Sequence, residues 1–257
     1  MELTFVKYQG TGNDFVMIDN STLQYEPLTI SQIQHICSRR FGVGADGLIL
    51  IEQGNGVDFT MNYYNADGSQ SFCGNGGRCA VAFAYQLGLI SSECKFRAID
   101  GIHYAAVLAN NRIKLRMGEI SAIERIEQDY YIHTGSPHYI RFTDSNDLDI
   151  VDFGRTIRYN QRFKDEGTNV NIARPQKNHI EVQTYERGVE DETYSCGTGV
   201  TAVALVHAST LAENEGTTCI QTKGGELNVY WKKQNGMFTE VYLEGPATLV
   251  YEGKINI

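Results

Sequence analysis

Two cysteines stand in the same word: Cys73-Gly74-Asn75-Gly76-Gly77-Arg78 and Cys196-Gly197-Thr198-Gly199-Val200-Thr201. Each leads into a run of small apolar residues, 79–87 and 202–211, that reads as a helix. A cysteine at a helix start meets unsatisfied backbone N–H groups and the positive end of the macrodipole. That setting lowers a thiol pKa from about 8.5 towards roughly 3.5 to 7.5 in favourable cases. The glycines let the same N–H groups approach and bind a carboxylate or a phosphate. Two such ends facing one cleft would supply two thiols and two anion-binding loops. They suit removal of an α-proton by a thiolate on one face and its return by a thiol on the other. Negative charge moving into the substrate carboxylate would be held by the helix ends.

Other uses of the same residues are open at this level. A cysteine near a helix start is often a small buried hydrophobe. Two thiols could cycle as a redox pair, although redox motifs keep their cysteines close in sequence. The glycine turns could cradle a phosphate, but neither G-x-x-x-x-G-K-[ST] nor G-x-G-x-x-G occurs at these sites. A cleft that only captures an amino acid would predict binding without proton exchange.

The elements that must position these cysteines are themselves repeated. Thr11-Gly12-Asn13 matches Thr134-Gly135-Ser136, with Asn13 standing 60 residues before Cys73 and Ser136 standing 60 before Cys196. Downstream, 91–101 parallels 216–226, placing Cys94 and Cys219 at similar offsets. The repeat unit is about 123 residues long. Within it, short alternating stretches such as 58–64, 95–99 and 112–117 read as strands broken by Gly, Asn and Asp. A surface helix over 32–40 is expected in the first half, capped by Ser31 or Thr29. The fold class is therefore α+β: two pseudo-symmetric domains, each a mostly antiparallel or mixed sheet around a central helix. The repeat puts the boundary near 118–124, and 247–257 reads as a strand that returns to the first domain. The expected domains are 1–118 with 249–257, carrying Cys73, and 119–248, carrying Cys196.

Composition narrows the partners. The 257 residues carry 22 Lys and Arg against 31 Asp and Glu, a formal charge of -9. That balance argues against nucleic acid and anionic membranes and favours a small molecule. The first residues lack the regions of a signal peptide, and no apolar run approaches the roughly 18 residues of a membrane span, so a cytoplasmic location is expected. Six cysteines are too sparse for a disulfide scaffold and contain no Cys-x-x-Cys, so no metal is expected. Cys37, Cys79, Cys94 and Cys219 have no special setting and read as structural.

Polar residues gather near the cysteines. Asn65, in Asn65-Ala66-Asp67-Gly68-Ser69, and Glu186-Arg187, in Tyr185-Glu186-Arg187-Gly188, stand at equivalent strand ends a short way before each thiol. Glu186 could accept from a substrate ammonium and Arg187 could grip a second carboxylate bidentately. Asn13, Asn169 and His138 lie on turn-rich stretches where polar side chains also serve the backbone.

Together these words resemble the diaminopimelate epimerase family. The resemblance rests on Gly10-Thr11-Gly12-Asn13-Asp14-Phe15, Asn65-Ala66-Asp67-Gly68-Ser69, Cys73-Gly74-Asn75-Gly76-Gly77-Arg78-Cys79, Tyr185-Glu186-Arg187-Gly188 and Cys196-Gly197-Thr198-Gly199, in that order along nearly the whole chain. It implies interconversion of LL- and meso-2,6-diaminopimelate without cofactor, on the route to lysine and peptidoglycan, by a protein that is commonly a homodimer. It implies Cys73 and Cys196 as the catalytic acid and base. Gly74, Asn75, Gly197 and Thr198 would hold the reacting carboxylate, and Glu186 the reacting ammonium. Asn13, Asn65, Asn169 and Arg187 would form the polar pocket, the last three reading the distal end of the substrate. His138 resembles a histidine near the thiols, and Ser136 is a possible accessory. Two residues depart from the pattern: many members have Gln at the place of Gly47 and Asn at the place of Ser136, which bears on distal contacts.

Overall fold

The computed structural model describes residues 1–118, Ile120 and 122–257. Glu119 and Ser121, inside the stretch where the repeat puts the boundary, lie outside the described residues. The chain divides into two compact units, Met1–Leu115 with Gly245–Ile257, and Arg116–Glu244.

The first unit begins with β1 (Glu2–Gly10) and β2 (Asn13–Asn20), then α1 (Ile30–Cys37), β3 (Gly47–Gln53) and β4 (Phe59–Asn65). It continues through α2 (Gly74–Gln86), β5 (Glu93–Ala98), β6 (Gly101–Val107) and β7 (Arg112–Arg116). β1 and β2 form a hairpin, β2 runs parallel to β3, β3 antiparallel to β4, and β4 parallel to β5. β5, β6 and β7 complete an antiparallel meander, and the last strand of the chain, Thr248–Asn256, lies antiparallel along β1.

Strands β2 and β3 are buried on both faces, as inner parallel strands usually are. Phe15, Met17, Ile49 and Ile51 point to the side of α2, whereas Val16, Ile18, Leu48 and Leu50 meet Ile33 and Ile36 of α1. Burying each of those α1 isoleucines stabilises the unit by about 1.5–3 kcal/mol. Thr29 caps α1 in a reciprocal box with Gln32, so the helix starts two residues before the expected 32–40 and stops at Cys37, where Ser38 turns extended.

The second unit repeats this plan. β8 (Glu124–Ile126), β9 (Asp129–His133) and β10 (Pro137–Phe142) precede α3 (Ile150–Arg158), β11 (Asn169–Pro175), β12 (Ile180–Glu186) and β13 (Asp191–Thr193). Then come α4 (Gly197–Ser209), β14 (Glu215–Thr222), β15 (Gly225–Gln234) and β16 (Met237–Pro246). β9 and β10 are antiparallel, β10 and β11 parallel, β11 and β12 antiparallel, β12 and β14 parallel, and β14, β15 and β16 antiparallel in turn. The order of pairings from β9 matches that from β1, so the duplicated α+β fold expected from the sequence is present.

Helix α4 is apolar around nearly its whole circumference, from Val200 to Ala208, which requires a site inside its sheet rather than on a surface. Both central helices start at Gly74 and Gly197, earlier than the runs 79–87 and 202–211 read from composition. Glycine-rich first turns have poor intrinsic helix propensity and form here because the sheet packs them. Among the described residues, no helix is long and apolar enough to cross a membrane.

Candidate active site

Cys73 and Cys196 are the N-cap residues of α2 and α4, with nearly the same extended backbone (φ -124°, ψ 116° and φ -115°, ψ 110°). Neither side chain caps its own helix, so both sulfurs leave the helical N–H groups of Gly74, Asn75, Gly197 and Thr198 to other acceptors.

In the first unit, the turn between β1 and β2 places Asn13 against this helix end. Thr11 and Gly12 both adopt positive φ (51° and 85°), the two-residue hairpin geometry that matches strand twist. Asn13 Oδ1 accepts from Cys73 Sγ at 3.4 Å and from Asn75 Nδ2 at 3.3 Å. Asn13 Nδ2 donates to Asp46, which also takes Arg39 Nη2 at 2.7 Å. Behind it, Asp14 is bridged by Arg39 and Lys7. Burial alone would raise the Asp14 carboxyl, but hydrogen bonds from Arg39 and Lys7 and their charges outweigh it and hold the group well below the usual range.

Asn65 ends β4 and is locked by its own loop: Nδ2 donates to Ser69 and Ser71, and Oδ1 accepts from Tyr63 at 2.9 Å. Gly47 pairs with Asn65 across the strands, and a Cβ there would meet the Tyr63 ring at 2.4 Å. The departure at Gly47 thus has a physical cause, since Tyr63 occupies the space that a longer side chain would need. Arg78 lies fully buried on α2, donating to Thr11 at 3.2 Å while its Nε and Nη1 have no hydrogen-bond partner among the described residues. Burial lowers its guanidinium to about 10.

In the second unit one continuous network joins most of the candidates. Thr198 Oγ1 lies 3.4 Å from Cys196 Sγ, 2.9 Å from Ser136 Oγ and 2.9 Å from His138 Nε2. Asn169 Nδ2 donates to Ser136 Oγ at 3.2 Å, and its Oδ1 accepts the backbone N–H of Arg187 at 2.9 Å. His138 is fully buried, and burial, then the charges of His133 and Arg187, push it down to about 3, so the ring is neutral. Glu186 ends β12, the counterpart of β4, and Arg187 follows it, tied through Nη1 to Glu166 O at 2.8 Å. Glu190 shapes this turn by accepting from Tyr159, Tyr185 and the Gly188 N–H.

Sequence reasoning missed Asp46, Tyr63, Asn171 and Thr184. Asn171 and Thr184 are buried polar residues on β11 and β12; Thr184 donates to Asn171, and Asn171 in turn meets His138. Their only sequence signal is a polar residue inside a stretch of buried strand. Burial raises the Cys37 thiol to about 11 and those of Cys79 and Cys94 to about 12, settings that keep all three protonated at neutral pH. Cys219 is half-buried. Among the described residues, no group of three or more His, Cys, Asp or Glu is placed to hold a metal ion.

Solved structures with this fold include a Bacillus anthracis phenazine biosynthesis protein of the PhzF family (TM-score 0.77, 15% identity, covering 100% of both chains). A hydroxyproline epimerase from Agrobacterium vitis matches with a TM-score of 0.72 at 13% identity, over 99% of this chain and 92% of that one. These likenesses define a fold, a duplicated α+β architecture. The diaminopimelate epimerase family model matches residues 5–123 and 130–250. The diaminopimelate epimerase of Flavobacterium psychrophilum is 44% identical over 252 residues, 97% of this chain and 98% of that protein. That of Chlorobaculum tepidum is 40% identical over 260 residues, 96% and 99% of the two chains. The chain belongs to the diaminopimelate epimerase family, and is an enzyme of the isomerase class.

Proposed function

We propose that the protein interconverts LL- and meso-2,6-diaminopimelate without a cofactor, in the synthesis of lysine and peptidoglycan precursors. The observation that carries this reading is the doubled cysteine N-cap in a chain of this family: each thiol stands at the start of a buried helix whose first N–H groups it does not use.

In the reaction, one thiolate takes the α-proton and becomes a thiol. The electron pair delocalises into the α-carboxylate, held by the N–H groups of Gly74, Asn75, Gly197 and Thr198, where oriented donors stabilise developing charge most. The other thiol then gives its proton to the opposite face and becomes the thiolate. The product is the inverted carbon with the two sulfurs exchanged in protonation. Cys73 and Cys196 are this pair, and Glu186 receives the reacting ammonium. Asn13 orients Cys73, while Asn65, Asn169 and Arg187 read the distal amino-acid group. Ser136 and His138 support Cys196 through Thr198.

Incubation of either diastereomer in deuterated water tests the reading: deuterium should enter the inverted α-carbon, and an absence of exchange with both would reject it. A racemase of another amino acid is the second reading, favoured by Gly47 and Ser136, and Tyr63 over Gly47 is the packing that would alter the distal pocket. A substrate panel decides, because only the first reading predicts preference for diaminopimelate. The protein acts in the cytoplasm as a homodimer. Support for self-association comes from Leu249, Val250 and Tyr251, exposed in sequence along the closing strand.

A further inference from the structure

We propose that before substrate binds the proton resides on Cys73 and the negative charge on Cys196, and that Asn171 is the positioning residue that sets this asymmetry. The inference deepens the two-thiol reading above and rests on it. It follows from the direction of hydrogen bonds that lie wholly inside each unit.

In the second unit the chain of donors can be followed from a fixed point. Asn171 Nδ2 lies 3.1 Å from the backbone carbonyl of Tyr139, which can only accept, so the amide orientation is determined. Its other hydrogen then points at His138 Nδ1, 3.1 Å away, while Asn171 Oδ1 accepts from Thr184 at 2.9 Å. A neutral imidazole that accepts at Nδ1 carries its hydrogen on Nε2. That hydrogen is donated into the pair of hydroxyls formed by Ser136 Oγ, at 3.0 Å, and Thr198 Oγ1, at 2.9 Å. Ser136 already accepts from Asn169, so its own hydrogen goes to Thr198, 2.9 Å away. The hydrogen of Thr198 is left for Cys196 Sγ at 3.4 Å. Every link donates towards the sulfur, an arrangement that stabilises a thiolate. Were the sulfur to donate instead, the Thr198 hydrogen would turn to Ser136 and the Ser136 hydrogen would face an N–H.

The first unit is wired in the opposite sense. Asn13 Nδ2 donates to the carboxylate of Asp46, itself held by Arg39, so Oδ1 is the atom that faces Cys73. A carbonyl oxygen at 3.4 Å accepts from an S–H and repels a thiolate. The charged groups packed here are Lys7, Asp14, Arg39 and Asp46, tied to one another, and Arg78 with its neighbour Arg112; the buried charge of Arg78 pulls Cys73 towards ionisation. Around His138, His133 and Arg187 both favour the neutral ring.

The test is alkylation by iodoacetamide across pH, read at each cysteine by peptide mass spectrometry. Cys73→Ala and Cys196→Ala each leave one of the pair to titrate alone, which removes their mutual coupling. Cys196 is expected to ionise at the lower pH, and near pH 7 to react about tenfold faster than Cys73. Introducing Asn171→Ala into the Cys73→Ala background should move the Cys196 profile up by about one pH unit, whereas the same change beside Cys196→Ala leaves the Cys73 profile in place. Thr198→Val, which keeps the buried amide, should move Cys196 the same way and decides the matter if the Asn171 variant does not fold. Earlier or equal ionisation of Cys73, or an unmoved Cys196 profile in a folded variant, overturns the proposal. Alkylation needs no substrate, so a failure of deuterium exchange would remove the epimerase reading while the order of ionisation stands or falls separately.

Discussion

A thiol becomes a useful base through its neighbours, and the two thiols here have different ones. Cys73 meets an amide oxygen and Cys196 a hydroxyl, although both cap the same kind of helix. Replacing either by alanine should lower turnover by at least about 100-fold, the usual contribution of a positioned acid or base, with circular dichroism unchanged. His138 carries a second expectation. Its folded state holds the ring neutral, with its value pushed down to about 3 from an unfolded value near 6.5. The unfolded chain therefore binds the extra proton between those values, and this contribution to stability, complete above about pH 6.5, is lost as pH falls towards 3. The thermal midpoint should fall on acidification from pH 7 to pH 4, and His138→Gln should flatten that dependence. Cys73 and Cys196 were legible in the sequence because their setting is written twice. Asn171, Thr184 and Asp46 were not, since a polar residue in a strand carries no mark of the partner that the fold brings to it.

At the scale of elements, the helices show where patterning speaks and where packing overrides it. The central helices begin on glycine, and composition marked only the apolar runs after their first turns, because burial within the sheet compensates the low propensity of Gly76, Gly77, Gly197 and Gly199. Helix α3 was not anticipated. Its counterpart α1 has a capping box, while α3 is capped by Asp149 and carries Gly154 where it crosses β12. A Cβ at Gly154 would lie 2.4 Å from the Cβ of Tyr185. Gly154→Ala should therefore destabilise the second unit by about 1–3 kcal/mol in urea unfolding, although alanine favours a free helix. If this variant were more stable, the close crossing of α3 and β12 would be wrong.

For the whole molecule, register carries the information. Two matched words at equal spacing announced a duplication, and the two units repeat one order of parallel and antiparallel pairings from their first hairpins. The pairing itself was not readable, because short alternating strands specify a face but not a neighbour. The chain's last strand closes the first unit, running from Glu2 opposite Asn256 to Gln9 opposite Thr248. Truncation after Pro246 should remove amide protection from residues 2–5 of β1, beyond its pairing with β2, in hydrogen exchange while sparing α4 and β14.

Solvent isotope incorporation is the readout nearest to inversion at carbon by two thiols. With LL- or meso-diaminopimelate in deuterated water, one deuteron is expected at each newly inverted α-carbon, lost in both Cys73→Ala and Cys196→Ala. Inversion that retained the substrate's own hydrogen, or that persisted in both alanine variants, would contradict it.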